Sequence, residues 1–168
     1  MKKLETRIKL CEKLIKEDSN YNFIRQYELD IGYGNQTYTV IWGGLFAIIT
    51  KEDFPPLIFR SFPYGKTMSQ ILKGIPRGKP VVINDSLLRQ TIKDAPKGKT
   101  KYAPVRIGGK TFDAKLIGQV FDIAGAWDGY TWYANSKRYS PSLVYFDKGI
   151  IIICPMRCND GIDVEEKE

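Results

Sequence analysis

The sequence predicts an α+β fold, and three observations carry that reading. An amphipathic helical stripe opens the chain and runs into three β-rich segments. A second helical stripe near residue 117 lies between a short apolar strand and three more β-rich segments. Turn residues separate the segments in both places.

Taken in order, residues 2–17 place Leu4, Ile8, Cys11 and Ile15 on one helical stripe, with Lys2, Lys3, Arg7, Lys9, Lys13 and Lys16 outside it. Strands are expected over 26–31, 36–42 and 45–50, joined by turns at 32–35 and at Gly43-Gly44. Residues 53–80 carry Pro55, Pro56, Pro63, Pro76 and Pro80 and read as a connector with a short helix over 68–73. A further strand over 80–84 and a capped helix over 86–95 follow. Residues 105–107 form a short strand, and Thr111 is placed to cap a helix whose face is Leu116, Ile117, Val120, Phe121 and Ala124. Gly125 ends that helix, and strands are expected over 129–134, 142–146 and 149–154.

With 168 residues, 43% of them hydrophobic and 27% charged, the chain can bury one ordinary core. The expected organisation is a single domain over 1–158, with a first half over 1–52, a connector over 53–80 and a second half over 81–158. An acidic tail over 159–168 is expected to be disordered. No run of eighteen apolar residues exists and the N-terminus has no signal-type apolar core, so a soluble, cytoplasmic protein without a membrane partner is expected.

There is no histidine, which excludes Ser-His-Asp and Cys-His nucleophile activation, the zinc proteases and a histidine general base. Asp113 and Asp122 lie nine residues apart, on different parts of one helix surface, and make no catalytic pair. The Gly-Lys-Thr triplets at Gly65, Gly98 and Gly109 lack the glycine that a phosphate loop needs five residues earlier: Arg60, Lys93 and Pro104 stand there. Cys11, Cys154 and Cys158 are odd in number and suggest no disulfide framework or zinc site. A non-enzymatic protein without a cofactor is the expectation.

Charge is unevenly placed. Residues 159–168 hold five acids against Lys167, leaving 25 basic and 14 acidic groups in residues 1–158. Residues 60–115 alone contain thirteen Lys or Arg and only Asp85, Asp94 and Asp113. Such a block suits a polyanion, because each neutralised phosphate releases condensed counterions without any base being read.

The second half is a βαβββ unit. Its helix opens in Phe112-Asp113-Ala114-Lys115-Leu116-Ile117, the words Ser140-Pro141-Ser142-Leu143-Val144 fall about a dozen residues before the end, and the last strand runs into Cys154-Pro155-Met156-Arg157-Cys158. This unit resembles the closing half of a domain of the bacterial DNA polymerase sliding clamp, whose chain typically ends in a strand running into M-P-M-R-L. The α-then-βββ order of the first half repeats the unit without its leading strand. The resemblance implies a DNA-clamp-like domain of βαβββ-type halves, with antiparallel sheets and helices on one face, as a single-domain, phage- or mobile-element-like relative. The extra strand and helix over 80–95 do not fit two strict halves, and Trp42-Gly43-Gly44-Leu45-Phe46 lacks the acid and arginine of the family's T-D-G-x-R-L segment.

The resemblance implies a processivity or replication accessory factor that meets duplex DNA without reading sequence. Arg89, Lys93 and Lys115 on helices, with Lys97, Lys99 and Lys101 on the loop between, are the candidate DNA contacts. Pro155, Met156 and Arg157 are the candidate docking site for DNA polymerase or other clamp-binding proteins, and a ring would be a homo-oligomer. One alternative is a single-strand binder stacking bases on Trp127, Tyr130, Trp132, Tyr133 and Tyr139, interleaved with Lys137 and Arg138. Another is a clamp-fold adaptor that binds protein only.

Overall fold

The computed structural model describes residues 2–17, 22–58, 67–98 and 100–166. The elements are α1 (Leu4–Glu17), β1 (Phe23–Asp30), β2 (Asn35–Trp42), β3 (Phe46–Thr50), β4 (Leu57–Ile58), α2 (Met68–Lys73), β5 (Lys79–Val81), α3 (Asp85–Lys93), β6 (Pro104–Ile107), β7 (Lys110–Asp113), α4 (Ala114–Ala124), β8 (Tyr130–Ala134), β9 (Ser142–Phe146), β10 (Gly149–Ile153) and β11 (Ile162–Asp163). The fold is mixed α+β, built on an eight-stranded sheet in the order β4-β1-β2-β3-β10-β9-β8-β5. Every pairing in it is antiparallel.

The centre of the sheet is set by its two most apolar strands. β3 and β10 are buried along their whole length, because neither strand has a polar face. Ile48 lies opposite Ile151 and joins one core with Phe46 and Ile153. Ile49 lies opposite Ile150 and joins a second core, on the other face, with Ala47 and Ile152. A Cβ at Gly149 would lie 1.8 Å from the Ile49 carbonyl oxygen, so only glycine allows the strands to meet there.

Two similar halves meet at this junction. α1 leads into the meander β1-β2-β3, α4 leads into β8-β9-β10, and the last strand of each meander pairs with the other. α1 and α3 each pack against α4, and all three helices contribute to the first core. The expected placement of helices on one face holds for these three. α2 departs from it: Met68, Ile71 and Leu72 join the second core, on the opposite face. Its start is fixed by a capping box, in which Thr67 Oγ1 accepts from Gln70 N–H and the Gln70 side chain accepts from Thr67 N–H.

The extra strand and helix find a place at the rim. β5 adds to the sheet edge beside β8, and Asn84 caps α3 by accepting from Leu87 N–H. α3 comes close to α4 at Gly118, where a Cβ would stand 3.2 Å from the Ile92 side chain.

Local assignments change in three places. Thr111 lies in β7 and does not cap α4; Asp113 does, its Oδ1 accepting from Lys115 N–H at 3.1 Å and from Ala103 N–H at 3.1 Å. The leading strand of the second half stands outside the main sheet, since β6 pairs with β7 and β11 in a sheet of its own. The acidic segment, expected to be disordered, is part of the fold through residue 166. β11 runs parallel to β6, Val164 is fully buried, Asn84 N–H donates to the Val164 carbonyl at 2.7 Å, and Glu165 accepts from Gly108 N–H at 3.0 Å.

Arg7 is the largest departure from the helical-stripe expectation. It is 3% exposed, whereas Leu4 on the expected stripe is 37% exposed. Its Nε donates to the Ile123 carbonyl at 3.0 Å and Nη2 to the Ala124 carbonyl at 2.9 Å, while Nη1 and Nη2 hold both oxygens of Glu52 at 3.0 and 2.5 Å. The arrangement ties α1 to the end of α4 and to the segment after β3. Arg7→Ala is expected to cost about 3–5 kcal/mol in urea denaturation, since it strands a mostly buried carboxylate. Val164→Ala is expected to cost about 2 kcal/mol at the same readout, from ~0.8 kcal/mol per buried methyl and the cavity left behind. An unchanged midpoint for Val164→Ala would mean that the acidic segment does not support the fold.

Candidate nucleic-acid interface

The cations expected to meet DNA come from α3, the loop after it and the start of α4. Arg89 is exposed on α3, with its guanidinium carbon 4.2 Å above the Trp127 ring. That ring is itself fixed, its Nε1 donating to Asp122 at 3.0 Å and its edge packing on Phe121 at 5.0 Å. Lys93 is exposed in the last turn of α3, where the helix dipole favours a cation. Lys97 and Lys101 are exposed on the loop. Lys99 lies outside the described residues.

Lys115 does something else. Its ammonium donates to the carbonyls of Pro96 at 3.0 Å, Gly98 at 3.0 Å and Lys101 at 3.1 Å. An ammonium has three protons, and all three are engaged, so Lys115 organises the loop that presents Lys97 and Lys101. On the other flank of α4, α1 adds exposed Lys9, Lys13 and Lys16, which are not among the cations expected at the site. Ion pairs between described residues join only Lys2 to Asp122, at 3.4 Å, and Arg7 to Glu52. The exposed cations of α1, α3 and the loop therefore have no carboxylate within ion-pair reach among the described residues.

The aromatic residues considered for base stacking are mostly committed. Trp132 is fully buried, edge-on to Phe112 at 5.0 Å. Tyr130 donates its hydroxyl to Asp85, and burial, then that bond, pushes its pKa up. Tyr133 carries the guanidinium of Arg77 4.3 Å from its ring centroid. Tyr139 is 49% exposed and has Arg138 and Arg157 at 4.9 and 5.2 Å from its ring centroid.

Pro155, Met156 and Arg157 do come together. β10 stops at Ile153, before the proline that cannot donate to a ladder, and Met156 N–H donates to the Thr111 carbonyl at 2.7 Å. The three residues line a cavity of about 290 Å³ with Lys110, Arg138 and Tyr139. Lys110 Nζ donates to Asn135 Oδ1 and the Ser140 carbonyl, both at 3.0 Å, and burial pulls its pKa down. On the far side of Arg138 and Tyr139 lies an apolar groove of about 620 Å³, floored by Trp42, Phe46, Ile71 and Ile152.

All three cysteines are free, and burial, with Glu12 nearby, pushes the Cys11 thiol up to about 12. Burial also raises the Cys154 thiol. No helix among the described residues is long and apolar enough to cross a membrane, and no cluster of metal-ligating side chains forms among them. No protein-family model, curated protein or solved structure matches this chain.

Proposed function

We propose that this protein is a clamp-like, non-enzymatic DNA-binding accessory factor of replication, which meets the duplex backbone without reading sequence. The observation that carries the reading is the run of exposed cations on α1, α3 and the 96–101 loop that lack carboxylate partners among the described residues. The pairing of two αβββ halves, with α1 and α4 side by side on one face, supports the clamp-like part of it. Arg89, Lys93, Lys97 and Lys101 approach phosphates, and Lys115 shapes the loop between them.

Weak duplex binding is expected, with a dissociation constant on the order of 10⁻⁵ M near physiological salt and no sequence preference. Four phosphate contacts give a slope of about −3 to −4 in the logarithm of affinity against the logarithm of salt concentration, at ~0.9 per contact. Lys93, Lys97 and Lys101 changed together to Glu abolish binding in a fluorescence anisotropy titration, while surface changes of this kind alter stability by only about 0.5 kcal/mol each. Lys115 is left intact in that variant, because changing it would release the loop. Salt-insensitive binding, or binding that survives the triple change, rejects this face. Light scattering with and without circular duplex separates a homo-oligomeric ring from a monomer that binds DNA singly.

Docking of a polymerase or another clamp-binding protein belongs to the same proposal. The apolar groove beside Tyr139 would take the apolar anchors of a Q-L-x-L-F peptide, with Pro155 and Met156 in the neighbouring cavity across Arg138 and Tyr139. Micromolar binding of that peptide is expected, weakened by Met156→Ala without unfolding; no binding at millimolar peptide leaves the ending as architecture alone.

A further inference from the structure

The cavity between the β6–β7 turn, the 135–141 loop and the segment after β10 gathers Lys110, Arg138 and Arg157, and none of its lining residues is acidic. The three cations come from separate parts of the chain. Neither arginine has an ion-pair partner among the described residues. Both guanidiniums lie over one ring, that of Tyr139, at 4.9 and 5.2 Å from its centroid. The two charges are thus no more than about 10 Å apart, and both belong to the lining of the one cavity.

The site is built and is more than a surface accident. Tyr139 has φ +62, a conformation that bulky residues rarely adopt and that the surroundings must impose. Those surroundings centre on Asn135, which is 5% exposed. Asn135 Oδ1 accepts from Lys110 Nζ at 3.0 Å and from Lys137 N–H at 3.1 Å, and Nδ2 donates to the Pro141 carbonyl at 3.0 Å. One buried amide therefore sets both the lysine and the loop that carries Arg138. Lys110 spends two of its three protons inside the protein and keeps one for a ligand. The opposite wall is the Gly108-Gly109 turn, at φ +59 and +79, which places bare backbone at the cavity.

We propose that this cavity binds a phosphate monoester group, on a free nucleotide or at the end of a nucleic-acid strand, with Arg138 and Arg157 clasping the oxyanion and Lys110 completing its charge. A carboxylate presents one planar fork and one charge. Three cations arriving from three segments instead match a tetrahedral dianion with several acceptor oxygens. The assignment does not depend on the helix face proposed for duplex DNA.

Calorimetric titration at constant ionic strength tests it with inorganic phosphate, a nucleoside 5′-monophosphate, the parent nucleoside, and a dodecanucleotide with or without a 5′-phosphate. Phosphate and the monophosphate bind, and the nucleoside does not. Affinity rises several-fold from pH 5 to pH 7, because the monoester loses its second proton near pH ~6, whereas sulfate, dianionic throughout, shows no such rise. Binding of the phosphorylated strand at least tenfold more tightly than the free nucleotide places the ligand at a strand end; equal binding places it on the nucleotide. Arg138→Gln and Arg157→Gln each weaken binding at least tenfold with an unchanged melting temperature, as both side chains are exposed. The Lys93, Lys97 and Lys101 variant retains phosphate binding, which separates this site from the duplex face. The assignment is overturned by a response to phosphate no greater than to chloride, by undiminished binding in the double arginine variant, or by a phosphoserine peptide that binds at least tenfold more tightly than any nucleotide.

Discussion

The helices that lead the two halves of this protein are tied together by the side chain of Arg7. A guanidinium is costly to bury, and it is stable inside a protein only where geometry and hydrogen bonding replace the lost water. Here both conditions are met by partners far away in sequence: Glu52, 45 residues on, and the carbonyls of Ile123 and Ala124, 116 and 117 residues on. The carbonyls are those that the end of α4 leaves unpaired, so the cation also sits where the helix dipole is most negative. Gly125 completes the corner. Its φ is +70, and a Cβ there would stand 3.0 Å from the guanidinium, so the residue that turns the chain out of α4 also leaves room for the group that holds it. With α1 and α4 fixed, the meanders that follow them bring β3 and β10 edge to edge.

Once that corner is closed, the charge of the molecule is divided between two kinds of work. Arg7 and Lys115 are structural cations, each donating to carbonyls of the chain itself, and Lys110 spends two of its three protons in the same way. Arg89, Lys93, Lys97, Lys101 and the α1 lysines face solvent. The acids do not neutralise them, because the densest run of acids is sewn along β6 and the 82–84 segment, with Glu165 spent on Gly108 N–H and Glu166 N–H donated to the Val82 carbonyl. Folding places this acidic segment beside the start of α3, where Asp163, Glu165 and Glu166 line one pocket with Asn84 and Leu87, and no ion pair between described residues joins it to the exposed cations.

What could be read from the sequence is what local chemistry decides. The short helix over 68–73, the stop at Gly125 and the end of the last strand before Pro155 each depend on a few neighbouring residues, and each stands where the residues point. The order helix-then-three-strands in both halves was equally legible, because alternation and the 3.6-residue period are local too. Arg7 was not, since an arginine beside a helical stripe reads as a solvated flank until a partner 116 residues away is known. The acidic segment misled for a related reason: composition argued for disorder, while one buried valine and a parallel pairing to β6 decided the outcome. Trp132 looked like a stacking surface among basic neighbours, yet its place on the core side of β8 follows only from the register with β9. The cavity around Tyr139 was half visible. Arg157 belonged to a terminal motif, but Lys110 and Arg138 reach it from segments that only the fold brings together.

The edges of the sheet bear on how such a protein could stay on DNA. β5, at one edge, is three residues long and contains Pro80, which has no N–H to offer a neighbouring strand, next to Lys79. β4, at the other edge, is two residues long. It covers only Phe23 and Ile24 of β1, so among the described residues 25–30 of β1 pair with β2 alone. The exposed large apolar residues Leu4, Tyr33, Leu45, Val82, Tyr102, Tyr139 and Ile162 are scattered over helix, strand and loop positions and, among the described residues, form no single element face. Retention on DNA through enclosure is independent of salt, whereas retention through phosphate contacts weakens by roughly 0.9 log units per contact for each tenfold rise in salt. For the proposed factor, the exposed cations of the helix layer, which lack carboxylate partners among the described residues, would supply the second kind of hold, one that weakens with salt.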